Sequence, residues 1–109
     1  MSHTELKEKA RREGIRWHII STLHKALPHN TGELFLRDVM QEIYGKDFAV
    51  SLTEIRQALK YLEERSLVKL TITPMDSWFA DLSVAGVDLA EYTIDCRAGI
   101  ARPPKYWKD

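Results

Sequence analysis

The sequence predicts a small α+β domain in which a three-helix core is followed by a two-stranded β-hairpin, a short C-terminal helix and an irregular tail. Three observations carry that prediction. Apolar residues recur at helical spacing in three blocks between residues 4 and 62, and the third block opens on Ser51 with Glu54 three positions later. After Ser66 the period changes to strand-like alternation on either side of the turn cluster Pro74 to Ser77. With 109 residues, 44% of them hydrophobic and 29% charged, the chain has the size and balance of one globular unit.

The first helix is predicted over Thr4 to Leu27, with Thr4 as cap and Leu6, Ala10, Ile15, Ile19, Ile20, Leu23 and Leu27 recurring on one side. Its first turns mix Lys7, Lys9, Arg11 and Arg12 with Glu5, Glu8 and Glu13, and Gly14 is a candidate break between a charged, frayed arm (residues 1–14) and the packed helix. Pro28, Asn30 and Gly32 end it. The second helix is expected from Leu36 to Tyr44, where Leu36, Val39, Met40 and Ile43 form a stripe and Gly45 supplies the stop; Leu34-Phe35 before it is expected to be extended.

Ser51 and Glu54 fit a capping box, in which each side chain bonds an otherwise orphan backbone N–H of the other. Leu52, Ile55, Leu59 and Leu62 then form the buried face of the third helix, which leaves Thr53, Gln57, Lys60 and Glu64 opposite it and Arg56 and Tyr61 on the flanks. Leu67 to Thr73 and Trp78 to Leu82 are the strands of the hairpin. Ser83 caps a short helix running to about Tyr92, weakened by Gly86, and from Cys96 onward Gly99, Pro103 and Pro104 predict an irregular tail. The domain is accordingly placed at residues 1–95 and a basic, Pro-containing tail at 96–109.

This order, three helices with the third capped and exposed on one side and then a hairpin, is that of a winged helix-turn-helix. The run Ala58-Leu59-Lys60-Tyr61-Leu62-Glu63-Glu64-Arg65-Ser66-Leu67-Val68 resembles the end of the recognition helix and the start of the wing in many bacterial winged-helix regulators. Leu82-Ser83-Val84-Ala85-Gly86-Val87-Asp88-Leu89 is similar to the stretch where such wings give way to the next helix, and the element order extends the match to roughly residues 15 to 92. The hairpin, the Gly-Val-Asp segment and the tail also resemble small winged-helix proteins of Mu-like prophages. Ser66 departs from the pattern, since it stands where the family usually places a left-handed glycine.

The resemblance implies a DNA-binding, transcription-regulator-like module of bacterial or phage type whose third helix enters the major groove. The base-reading candidates are Thr53, Arg56, Gln57 and Lys60, with Tyr61 beside them as a phosphate or edge contact, and Arg56 is suited to guanine and Gln57 to adenine. Phosphate contacts have to come from elsewhere than the wing. Residues 1–69 carry 12 Lys+Arg against 10 Asp+Glu, residues 70–96 carry no Lys or Arg and 5 Asp+Glu, and residues 97–109 carry 4 Lys+Arg against Asp109. The candidates are therefore Lys7, Lys9, Arg11, Arg12 and Arg16 in the first helix and Arg97, Arg102, Lys105 and Lys108 in the tail, because Asp76 puts a carboxylate at the hairpin tip.

An alternative stays open, protein recognition or self-association by an adaptor that does not bind DNA, through Trp78 and Phe79 on the wing or Tyr106 and Trp107 in the tail. Catalysis is not expected, because no phosphate-binding glycine loop, nucleophile elbow or carboxylate pair stands out. Nor is a metal site, cofactor or small-molecule ligand: His18 and His24 are six apart and fall on different faces of one helix. Glu5 to Arg16 is too charged for a signal peptide, no apolar run is long enough to span a bilayer, and the lone Cys96 has no internal disulfide partner, which together predict a cytoplasmic protein without a membrane partner.

Overall fold

A computed structural model describes residues 1–105. The chain forms α1 (His3–Ala26), β1 (Thr31–Gly32), α2 (Glu33–Tyr44), α3 (Leu52–Glu64), β2 (Val68–Ile72), β3 (Trp78–Leu82) and α4 (Val84–Ala90). The hairpin is joined by β1 into an antiparallel sheet of order β1-β3-β2, in which Thr31 pairs with Ala80 and Val68 with Leu82. The core lies between the sheet and the helices, with Ile15, Ile19, Ile20 and Leu23 of α1 packed against Leu36 and Met40 of α2, Ile55, Leu59 and Leu62 of α3, Ala80 of β3 and Leu89 of α4. Each buried Leu or Ile in it contributes roughly 1.5–3 kcal/mol of transfer free energy.

Three local expectations change. The cap of α1 is Ser2 and not Thr4: Ser2 Oγ accepts the Glu5 N–H at 3.1 Å while Glu5 accepts the Ser2 N–H at 3.4 Å. The helix then runs unbroken through Gly14, and the glycine makes room for Tyr44 of α2, since an added Cβ would sit 2.3 Å from the Tyr44 hydroxyl. Leu34-Phe35 is helical, and the extended pair is Thr31–Gly32 just before it. The buried Glu33 places the helix start earlier, since its carboxylate is held by Arg56 and by the Trp78 N–H.

The start of α3 is half a capping box. Ser51 Oγ accepts the Glu54 N–H at 3.0 Å, but the Glu54 carboxylate turns away to Arg11 at 2.7 and 3.0 Å. Ser66 does take the left-handed conformation, with φ 61°, and the Ser66 N–H bonds the Glu63 carbonyl while the Leu67 N–H bonds that of Leu62. This is the Schellman arrangement, completed without glycine at a backbone cost of roughly 1–2 kcal/mol. Ser83 caps α4 through the Gly86 N–H at 3.0 Å. Gly86 allows close approach: a Cβ there would meet the Leu67 carbonyl oxygen at 2.1 Å.

Residues 96–105 have no helix or strand, yet they are fastened to the domain. The Ala101 N–H donates to the Glu13 carbonyl at 3.1 Å, Arg102 donates to the carbonyls of Leu89 and Ile94 at 3.0 and 2.9 Å, and Cys96 and Ile100 pack half-buried on the core.

Candidate nucleic-acid interface

The packing that buries Ile55, Ala58, Leu59 and Leu62 turns the opposite ridge of α3 to solvent. Thr53, Gln57, Lys60 and Glu64 are exposed along it. They line an open groove of about 450 Å³ together with Arg16 of α1, Tyr61 on the flank and Trp78 at the wing end. Thr53 and Gln57 make no side-chain hydrogen bond to another described residue, whereas Lys60 donates to Glu63 at 2.8 Å, a bond that holds its ammonium above the ordinary lysine value.

Arg56 is differently placed. Its Nε and Nη2 donate to the two oxygens of Glu33 at 2.5 and 2.8 Å, Nη1 donates to the Asp76 carboxylate at 2.9 Å, and Nη2 also reaches the Asp76 carbonyl at 2.6 Å. The guanidinium carbon stands 4.7 Å from the centre of the Trp78 ring. Glu33 is only 5% exposed, and the Arg56 hydrogen bonds hold its carboxyl below the usual range against the opposing effect of burial. Asp76, in the left-handed region at φ 59°, is lowered by Arg56 first and by the Trp78 indole N–H second. Arg56 thereby joins the start of α2, the middle of α3 and the tip of the wing.

The acidic wing is consequently less free than its sequence implies, because the Asp76 carboxylate is turned back onto α3. Lys69 adds a cation on β2, paired in register with Asp81. Trp78 and Phe79 are half-buried on opposite faces of β3: Trp78 shares the side of Ala80 and Leu82, while the Phe79 ring covers Gly32. Tyr106, Trp107 and Lys108 lie outside the described residues.

The predicted phosphate contacts divide into two sets. Arg11 is committed internally, donating to Glu54 and to the carbonyls of Tyr44 at 2.8 Å and Phe48 at 3.1 Å, so that it closes the C-terminal end of α2. Arg102 is likewise committed to carbonyls and lies over Tyr92. Lys7, Arg12, Arg97 and Lys105 are exposed, Lys105 with its ammonium 5.8 Å from the Tyr92 ring centre, and Lys9 pairs with Glu13 at 3.4 Å. Arg16 stands apart: it lies 3.5 Å over the Tyr61 ring and donates to the Gly99 carbonyl at 2.8 Å. Arg65, which is not among the residues singled out from the sequence, lies over the same ring at 4.2 Å. The usable signal was its spacing, four residues after the flanking Tyr61.

The histidines are separated. His18 Nδ1 lies 2.9 Å from the Gly14 carbonyl and 2.7 Å from the Tyr44 hydroxyl, and His24 Nε2 lies 2.8 Å from Glu91. Among the described residues no three of His, Cys, Asp and Glu come together as a metal-ligand set, and no helix is long and apolar enough to cross a membrane.

No family model matches the sequence, and no curated protein matches it. Among solved structures the chain is similar to a double mutant of Lactococcus lactis ZitR in apo form, with a TM-score of 0.57 at 16% identity over 83% of this chain and 61% of that one. The chain thus spans less than two thirds of that protein. The likeness establishes the fold, which is a winged helix-turn-helix.

Proposed function

We propose that this winged-helix domain binds duplex DNA through the exposed ridge of α3, as a module of the bacterial or phage regulator type. The observation that carries the reading is the convergence of Thr53, Gln57 and Lys60 with Arg16 on one open groove. Gln57 has its amide free to pair with an adenine edge, and Lys60 needs only to exchange Glu63 for an acceptor on DNA. Arg56 reads a base only if it leaves Glu33 and Asp76, so its role here is to hold helix and wing together. The test is titration of labelled duplexes at low and high salt. Binding with a dissociation constant near or below about 10⁻⁵ M that weakens with salt is expected, and Gln57→Ala should change the order of preference among duplexes. No binding at tens of micromolar at low salt overturns it.

A second reading, recognition of a protein, is favoured by one feature. Leu34, Leu52, Trp78 and Phe79 line a cleft of about 350 Å³ between α2, α3 and the wing, and Leu34 is 56% exposed. Aromatic and aliphatic walls of that kind suit an interface anchor. A partner captured by the wild type and lost with Leu34→Asp supports it, and identical capture by both proteins counts against it.

A further inference from the structure

Four arginines gather where α1, the C-terminal half of α3 and residues 94–100 meet. Arg16 and Arg65 both lie against the ring of Tyr61, at 3.5 and 4.2 Å. Arg12, one turn earlier on α1, shares with Arg16 and Gln57 the walls of a crevice that opens beside the α3 ridge. On the other side Arg97 shares with Tyr61 and Arg65 a cleft of about 290 Å³ floored by Leu67 and Leu89. Among the described residues none of the four has an ion-pair partner. Of the acids around the band, Glu13 and Glu54 are committed to Lys9 and Arg11, Glu64 lines the α3 groove with Arg16 and Tyr61, and Asp95 stands on the rim of the cleft.

Such a cluster is electrostatically unfinished. Burial draws the Arg16 guanidinium below its ordinary value, and the charges of Arg12 and Arg65 add to that lowering against the pull of Tyr61 and Glu13. An anion would relieve the repulsion. Stacking on an aromatic ring uses the face of a guanidinium and leaves its in-plane N–H donors for an acceptor, and phosphate is the acceptor that this fork fits two bonds at a time. The band is also continuous with the groove along α3, since Arg16 and Tyr61 belong to both.

We propose that Arg12, Arg16, Arg65 and Arg97 form the backbone-phosphate site for the duplex that α3 reads, so that the DNA backbone is held on the α1 side of the domain and not by the wing. This rests on the DNA-binding reading above and adds to it which surface carries the phosphates. The wing offers a single cation, Lys69 on β2, which faces Asp81 in register, while residues 70–82 hold no Lys or Arg and the Asp76 carboxylate at the tip already belongs to Arg56.

The test compares the salt dependence of duplex binding for the wild type, the double variant Arg65→Gln/Arg97→Gln and the wing variant Lys69→Gln. All three positions are exposed, and far-UV circular dichroism with a thermal melt checks that each variant folds. The double variant is expected to bind every duplex roughly tenfold more weakly, with the slope of log K against log salt reduced by about two and the order of sequence preference kept. Lys69→Gln should leave the slope unchanged. A wild type that binds, with a double variant of equal affinity and slope, overturns this proposal alone, as does a slope that Lys69→Gln reduces and the arginine variant does not. A wild type that binds no duplex overturns it together with the reading on which it rests.

Discussion

Arg56 illustrates how one residue can look like a reader and act as a clamp. On α3 it flanks the exposed ridge, and helical spacing alone makes it available to a partner; its partners Glu33 and Asp76 lie 23 and 20 residues away, a distance at which periodicity carries no information. The exposed ridge residues Thr53, Gln57 and Lys60 were legible because burial of the opposite face decides their exposure. The Arg65–Tyr61 contact was legible as a pair four residues apart, whereas its meeting with Arg16 was not, since that depends on α1 arriving beside Tyr61. The clamp has a measurable consequence. Glu33 and Asp76 are both held below the ordinary values of 4.5 and 3.8, so their stabilising contribution is present above those values and is lost as pH falls through the lower folded ones. Thermal melts across pH should be flat for this pair from about pH 7 to 5 and fall steeply below about pH 4, and Glu33→Gln should remove part of the acid slope. Glu33→Ala at pH 7 should lower the midpoint of urea unfolding, because it leaves the Trp78 N–H without its acceptor and Arg56 with Asp76 alone. An acid slope identical in Glu33→Gln and wild type would remove the carboxylate from this role.

At the scale of elements, the sequence was most informative where one local signal sufficed. The ends of α3 and the hairpin follow from Ser51, from the change of period after Ser66 and from the turn at Pro74 to Ser77. It was least informative where a long-range contact decides. Gly14 and Gly86 both look like helix weaknesses on propensity, yet each is the point at which another part of the chain comes closest, Tyr44 in one case and the Leu67 carbonyl in the other. The two interpretations predict opposite signs. On propensity Gly86→Ala should stabilise α4 by up to about 1 kcal/mol. On the packing a methyl group 2.1 Å from a backbone oxygen forces α4 away from the start of β2, and the substitution should cost about 2 kcal/mol or more. Chemical denaturation of Gly86→Ala decides between them, and faster amide exchange at Ser83, whose N–H bonds the Leu67 carbonyl at 3.0 Å, would locate the displacement.

The whole molecule is a packed winged helix with a projecting end and a returned tail. Residues 1–10 are exposed on every side, and the burial of α1 begins only at Gly14, so about 12 Å of helix stands clear of the core. Yet Arg11, at the root of that projection, binds the Tyr44 and Phe48 carbonyls and the Glu54 carboxylate, so the overhang and the body are separated by one residue. Two truncations therefore bracket the boundary. Deleting residues 1–9 removes no contact to the core and should move the thermal midpoint by less than about 3 °C. Deleting residues 1–12 also removes Arg11, leaves the end of α2 and the start of α3 without their shared donor, and should cost about 1–3 kcal/mol, seen as a drop of roughly 5 °C or more. The shorter truncation also separates two contributions to DNA binding. If the arginine band holds the backbone, loss of Lys7 and Lys9 should leave the salt slope nearly as it was; if the arm holds it, the slope should fall by about two while the fold stays intact. A protein that melts equally early in both truncations would place the first turns of α1 inside the cooperative unit, against the exposure that sets them apart.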